Sequence, residues 1–437
     1  MTADVTAPAR PTAAPGDAAP GTGVTVARVL RYLRPHQGGR FAALDGFRAV
    51  ASLGVVMYHV AGYAGLTQAD TPTARLLNNL GNFGVAVFFL LSGFLLYRPF
   101  VMTWFRGDLP PRTFVFYRHR FLRILPAYWI ALTAFIALGL LAKKNPELDY
   151  YVTLYSLTQD YRDYFGFAAL SVAWTLCIEV AFYLALPAIA ALIRLLGRAA
   201  RTPRMKLEAQ LLGLATMYAV ALIYRFVLAG PWTQPKVQHE GTVVHLWLPH
   251  YFDWFALGML LAVCVSWTDM GRKLPRLVQR VADLDWACWL VAFGCYAVFV
   301  MTRDLSASVA GIPDKETTGE MFVRFFFNGT AAFFFLLPGI LGQRADSLIK
   351  RGLSSLPLMF LGTISYGIYL WHKVWLDKFK VGHDGPNTRY SFLVMIAMVI
   401  AATLVTASLS YYLVERPLMK FRDPKHLRSR PKTTASP

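Results

Sequence analysis

The sequence predicts an all-α, polytopic membrane protein of about ten transmembrane helices, with both termini in the cytoplasm. Three observations carry this reading. Of 437 residues, 56% are hydrophobic and only 16% charged, too little polar surface to cover a soluble core of that size. The apolar residues gather in blocks near 20 residues long, the length a helix needs to cross hydrocarbon, rather than at amphipathic spacing. Positive charge, finally, alternates from one inter-block segment to the next.

In chain order, residues 1–40 are expected to be a disordered cytoplasmic tail. Residues 1–23 are rich in Ala, Pro, Thr and Gly, and such segments bury too little apolar surface to fold. The stretch VTVARVLRYLR at 24–34 fits a short basic amphipathic helix on the inner leaflet. No apolar core follows a basic start, so a cleavable signal peptide is not expected. The membrane domain covers 41–420. Its ten blocks fall at about 46–66, 82–99, 122–142, 169–193, 208–230, 247–267, 284–302, 322–342, 354–375 and 391–414. Blocks of this length are far too long for barrel strands. The weakest, 322–342, contains Arg324, Asn328 and Pro338. Residues 421–437 form a second, basic cytoplasmic tail. No soluble catalytic domain is expected, which leaves any chemistry to the membrane domain.

Charge placement tests the block count. Thirty-one of the 44 Lys and Arg residues fall in the tails and the even-numbered loops, the cytoplasmic side if both termini are inside. Acidic residues lean the other way, with Glu147, Asp149, Asp160, Asp163, Asp304, Asp314, Glu316 and Glu320 in the opposite loops. The net charge of +19 is therefore membrane-proximal, and nucleic-acid binding is a poor reading of it. Cys177, Cys264, Cys288 and Cys295 lie within predicted spans and form no C-x-x-C pair, so neither a disulfide framework nor a metal site is indicated.

An ionisable side chain in hydrocarbon costs several kcal/mol, so each needs a reason. Asp45, Arg48, Ser52 and His59 share one face of the first span at 3.6 residues per turn. His59 lies about 16 Å deeper than Arg48 at 1.5 Å per residue. A lone histidine in a span is as often a structural hydrogen-bonding group, but alignment with Asp45 and Arg48 points to function. A desolvated imidazole stays neutral, the form a general base requires. Glu179, on one face with Thr175 and Tyr183, reaches similar depth in the fourth span. Its structural alternative is an ion pair with Arg225 or Arg324. Ser92 and Tyr366 also lie near mid-depth, where interhelical hydrogen bonding is the common role. Arg118, Arg120 and Arg123 precede the third span on the cytoplasmic side. They suit a positive-inside anchor or, with Arg112 and Arg48, an anionic phosphate-bearing ligand.

Six segments together carry a resemblance. FAALDGFRAVASLGVVMYH places ten residues between Arg48 and His59, and NFGVAVFFLLSGFLL follows in the second span. RHRFLRILPAYW contains an R-x-x-R pair, Arg120 and Arg123. WTLCIEVAFYLALP runs from Trp174 through Glu179, and ISYGIYLWH and YYLVERP close the series. In this order over about residues 41–420, the chain resembles the bacterial membrane-bound acyltransferase 3 family, whose members modify surface polysaccharides and glycolipids.

The resemblance implies O-acyl transfer from cytoplasmic acyl-CoA, commonly acetyl-CoA, to a hydroxyl of a cell-envelope glycolipid or polysaccharide. It also implies a plasma-membrane location. No bound cofactor or metal is expected, because the acyl-CoA is a co-substrate. His59 and Arg48 are implied to be needed for activity, and Arg120 and Arg123 to contact the donor, with Asp45 beside Arg48. Glu179 is the second catalytic candidate, expected to border the chamber and either orient His59 or bind the acceptor hydroxyl, and Ser92, Trp174 and Tyr366 are candidate chamber-lining residues. Some family members carry a hydrolase-like domain that helps deliver acyl groups, so a separate envelope partner protein remains an open expectation here. Two other classes stay open: a glycolipid transporter or flippase, since mid-depth ionisable residues also mark transport sites, and a receptor or scaffold without catalysis. Outer-loop aromatics (Trp232, Trp247, Tyr150, Tyr151, Tyr155, Tyr161, Tyr164) fit sugar stacking or, more commonly, interfacial anchoring.

Overall fold

The computed structural model of the protein describes residues 43–67, 71–141, 143, 146–162, 169–229, 244–301, 308–309, 312–313, 318–344, 347–380 and 391–422. The expected tails, apart from 421–422, and the basic segment at 24–34 lie outside the described residues, as do Tyr164 and Trp232.

The fold is all-α and polytopic. Its longer helices are α1 (Ala43–Tyr63), α2 (Pro72–Arg106), α3 (Thr113–Ala137), α4 (Leu148–Tyr155), α5 (Trp174–Leu196), α6 (Pro203–Ala229) and α7 (Phe252–Asp269). They continue with α8 (Arg276–Asp283), α9 (Asp285–Met301), α10 (Thr318–Leu341), α11 (Leu348–Leu353), α12 (Leu356–Thr363), α13 (Ser365–Lys380) and α14 (Phe392–Ser410). Two two-residue strands, Ser308–Val309 and Ile312–Pro313, pair antiparallel before α10.

Each of the ten expected blocks coincides with helix. Among the described residues, seven helices are long and apolar enough to cross a membrane, or eight if α8 and α9, bent by 83° at Leu284, form one span. The remaining two blocks differ for physical reasons. Helix α1 carries Asp45, Arg48 and His59, the polar residues that drew attention to it, and these lower its apolar content. The block at 354–375 divides at Ile364 into the short α12 and the more polar α13.

Local signals explain the helix ends. Pro72 opens α2 at its first turn, where a missing N–H costs nothing. The Thr71 side chain accepts from the backbone N–H of Ala74 at 3.2 Å, and Gly107, at φ 79°, ends the helix in the left-handed conformation. Close crossings rest on absent side chains. A Cβ on Gly258 would stand 2.0 Å from the Leu90 carbonyl oxygen, and one on Gly93 would stand 2.4 Å from that of Phe255. Reciprocal glycines let α2 and α7 touch backbone to backbone, as small residues do in membrane bundles.

Apolar side chains form two main clusters. One gathers about α2, α7 and α10, around Phe89, Phe94, Phe255 and Leu336. The other gathers about α3, α5, α13 and α14, around Tyr128, Leu132, Leu370 and Val399. Phe88 and Tyr366 pack against both. Helices α6 and α14 instead present large apolar groups outward, including Leu212, Ile223, Leu393 and Val405. Such faces belong against lipid rather than water.

Candidate active site

A cavity of about 90 Å3 opens where the two clusters meet. Five helices line it: α1 through Arg48, α2 through Phe88 and Ser92, α3 through Arg120 and Arg123, α5 through Thr175, Glu179 and Tyr183, and α13 through Ser365, Tyr366 and Tyr369. Its charged lining is three arginines against one glutamate. Charges cluster here because each sits on a helix face that turns away from lipid.

Glu179 is held by hydroxyls. Its Oε1 accepts from Ser92 Oγ at 2.6 Å and from Tyr183 Oη at 2.6 Å. Tyr183 follows Glu179 by one turn of α5, and Ser92 reaches across from α2. Arg48 Nη1 donates to Asp45 Oδ1 at 3.2 Å one turn earlier on α1, so Asp45 orients a wall residue without forming the wall. Tyr366 Oη donates to the Ile124 carbonyl at 2.9 Å, tying α13 to α3 at the cavity. The Tyr369 hydroxyl lies 2.7 Å from Thr175 Oγ1 and closes the end farther along α13.

The anticipated alternative for Glu179, a pair with Arg225, does not form. Arg225 Nη2 lies 2.5 Å from Asp253 Oδ1, with both side chains 1% exposed. The same guanidinium donates to the His250 carbonyl at 2.6 and 3.1 Å and stacks over Phe325 at 3.9 Å. Arg324 lies over the same ring at 4.9 Å.

His59 sits beyond the Tyr369 end. Its Nδ1 is 3.0 Å from the Val55 carbonyl and 3.2 Å from His372 Nε2. His372, fully buried, places its own Nδ1 3.0 Å from the Ile368 carbonyl. Its ring packs 6.1 Å from that of Tyr369, which lines the cavity. Toward the far end of α13, Lys373 Nζ donates to Tyr63 Oη and to Asp377 Oδ1, both at 2.6 Å. Tyr63 Oη donates to the same carboxylate at 2.8 Å. This clamp fixes α13 against α1 next to the histidine pair.

Six residues singled out by sequence thus share one wall: Arg48, Ser92, Arg120, Arg123, Glu179 and Tyr366. His59 and Trp174 are not part of it. Trp174 lies against Tyr251, ring centroids 6.0 Å apart, and Tyr251 lies against Phe89 of the lining at 5.3 Å. Sequence reasoning passed over Thr175, Tyr183 and Tyr369 as site residues, and gave no role to His372. The available signal for His372 was its place ending ISYGIYLWH, within a span that already held Tyr366. Among the described residues, no three His, Cys, Asp or Glu side chains group as a metal site would.

The acyltransferase domain pattern matches residues 41–414. The chain is 25% identical over 412 residues to the peptidoglycan O-acetyltransferase OatA of Listeria monocytogenes, covering 90% of this chain and 57% of that protein. It is 24% identical over 400 residues to the O-acetyltransferase OatA of Staphylococcus aureus, covering 86% and 57%. The putative peptidoglycan O-acetyltransferase YrhL of Bacillus subtilis is 25% identical over 391 residues, covering 86% and 54%. The chain spans little more than half the length of these relatives. No solved structure matches it significantly. A match spanning all the helices that build the cavity places the chain in the acyltransferase 3 family.

Proposed function

We propose that this chain is a plasma-membrane O-acyltransferase that moves an acyl group, acetyl in the simplest case, from cytoplasmic acyl-CoA to a hydroxyl of an envelope glycan. The single observation that carries the reading is the cavity itself. Three arginines line it, and another lining residue, Tyr369, lies against the ring of His372. Arginine binds phosphate by paired, charge-assisted hydrogen bonds, so Arg48, Arg120 and Arg123 receive the anionic part of the donor. The acyl arm runs between α2 and α5 toward His59. On the expected topology of ten spans with both termini cytoplasmic, Arg120 and Arg123 lie on the donor side. The relatives' names make peptidoglycan the first acceptor to try, ahead of a glycolipid.

The chemistry is direct transfer. His59 Nε2 takes the proton of the acceptor hydroxyl, and the oxygen attacks the thioester carbonyl carbon. The C–S bond breaks, and the departing thiolate takes the proton back from the imidazolium. Positioning and general base catalysis suffice for this step. Glu179, with Ser92 and Tyr183, borders the reacting groups and binds the acceptor hydroxyl.

The test is transfer of radiolabelled acetyl from acetyl-CoA to peptidoglycan fragments by purified protein in nanodiscs. Wild-type protein transfers label, and His59→Ala, inserted and equally stable, does not. Wild-type turnover by His59→Ala would overturn the assignment of the base. Movement of glycan across the bilayer with no acetyl transfer would favour a flippase.

A further inference from the structure

The hydrogen-bond partners around His59 and His372 determine where their protons lie. A peptide carbonyl can only accept. The Ile368 carbonyl at 3.0 Å from His372 Nδ1 therefore requires a proton on that nitrogen. In the neutral ring the other nitrogen, His372 Nε2, then carries the lone pair. His59 Nδ1 faces two acceptors, the Val55 carbonyl at 3.0 Å and His372 Nε2 at 3.2 Å, and its proton is shared between them in a three-centre bond. The reverse arrangement, with His372 Nε2 donating, would turn bare lone pairs of both Nδ1 atoms toward carbonyl oxygens. The consequence is that His59 Nε2 is left unprotonated, with no hydrogen-bond partner among the described residues.

From this geometry we infer that His372 is the positioning residue of the proposed base: it holds His59 in the Nδ1–H tautomer and stabilises the imidazolium formed during transfer. The inference rests on the proposed role of His59. The acceptor hydroxyl's proton arrives on His59 Nε2, the Nδ1 proton remains hydrogen-bonded to His372 Nε2, and the Nε2 proton leaves on the thiolate. A neutral imidazole thus does here what a carboxylate does for histidine in a catalytic triad. A neutral partner adds no second charge to a membrane interior, where one costs several kcal/mol. The Lys373–Asp377–Tyr63 clamp holds the two helices in register for the pair. His372 itself is fully buried, consistent with a residue that acts through its neighbour.

Steady-state transfer by purified protein tests this with four forms side by side: wild type, His59→Ala, His372→Leu and His372→Gln. Leucine removes the acceptor and leaves the space filled, whereas glutamine offers an amide oxygen near the former Nε2. His372→Leu should lower kcat by about 10- to 100-fold, part of what general base catalysis contributes, with the donor KM within about twofold. His372→Gln should recover most of that loss. Wild-type kcat in His372→Leu beside a dead His59→Ala would overturn the inference alone, and an active His59→Ala would overturn the reading beneath it. Equal losses in the leucine and glutamine variants would reduce His372 to packing. Protein labelled with 15N-histidine gives an answer without any His372 variant. The His59 signals, identified by their absence from His59→Ala, should show Nδ1 protonated and Nε2 bare, and the opposite tautomer contradicts the inference.

Discussion

The Arg225–Asp253 pair and the Arg48–Arg120–Arg123 group both bring guanidinium ions between apolar helices, but only the second borders a cavity. Arg225 has a carboxylate, a carbonyl and an aromatic ring within reach, and it is 1% exposed. Its Nε and Nη2 donate to the His250 carbonyl, and Nη2 also meets the Asp253 carboxylate. Around the cavity the lone carboxylate of the wall, Glu179, is engaged by two hydroxyls, and three arginines face the same space. Arg48 is also paired with Asp45 behind the wall, and a cavity lined by three guanidinium groups and one carboxylate suits an anionic ligand. A charged group sealed inside the bundle thus differs from one that borders an open space.

That contrast can be broken by substitution. The largest expected effect on stability is at the closed pair. Asp253→Leu should lower stability by about 3–5 kcal/mol by leaving Arg225 uncompensated, and adding Arg225→Met should return most of it. Thermal unfolding in detergent reads both. No recovery in the double variant would mean the pair is more than structural. At the cavity, the double variant Arg120→Ala/Arg123→Ala should raise the donor KM by about 100-fold or more, from two charge-assisted bonds worth about 1.5–3 kcal/mol each. Its melting temperature should hardly move. Unchanged donor affinity would return these residues to an anchoring role. Glu179→Gln should keep the fold and lower kcat by about tenfold, a cost near 1.4 kcal/mol. A large fall in melting temperature with normal kcat would place Glu179 with Arg225 instead. The smallest effect is at Tyr97→Phe in the core, where loss of the hydrogen bond to Gln210 should cost about 1 kcal/mol of stability and leave transfer unchanged.

The helices were legible because hydrophobic length in a membrane is a direct physical signal. Every expected block is helix, and only the interruptions at Leu284 and Ile364 were hidden. No proline or glycine marks the break at Leu284, and Gly362, two residues before Ile364, packs its backbone against Asp45. Family membership was legible too, because six motifs keep their order. Within the candidate site, depth counted along each span brought Ser92, Glu179 and Tyr366 to one level, but it grouped them with His59, whereas the cavity they line holds Arg48 instead. Azimuth between helices could not be counted. For that reason the 313-residue separation of His59 from His372 hid their contact, and so did that of Tyr63 from Asp377. The same limit left Trp174 outside the wall, one aromatic neighbour away.

If the arginine-lined cavity receives the acyl donor, its arginines set the donor's affinity. The direct measurement is equilibrium binding of a non-transferable acetyl-CoA thioether to purified protein, comparing wild type, Arg120→Ala/Arg123→Ala and Arg225→Met/Asp253→Leu. Wild type should bind saturably, the cavity variant at least about tenfold more weakly, and the closed-pair variant with wild-type affinity. Equal affinity in all three forms would contradict donor binding at these arginines.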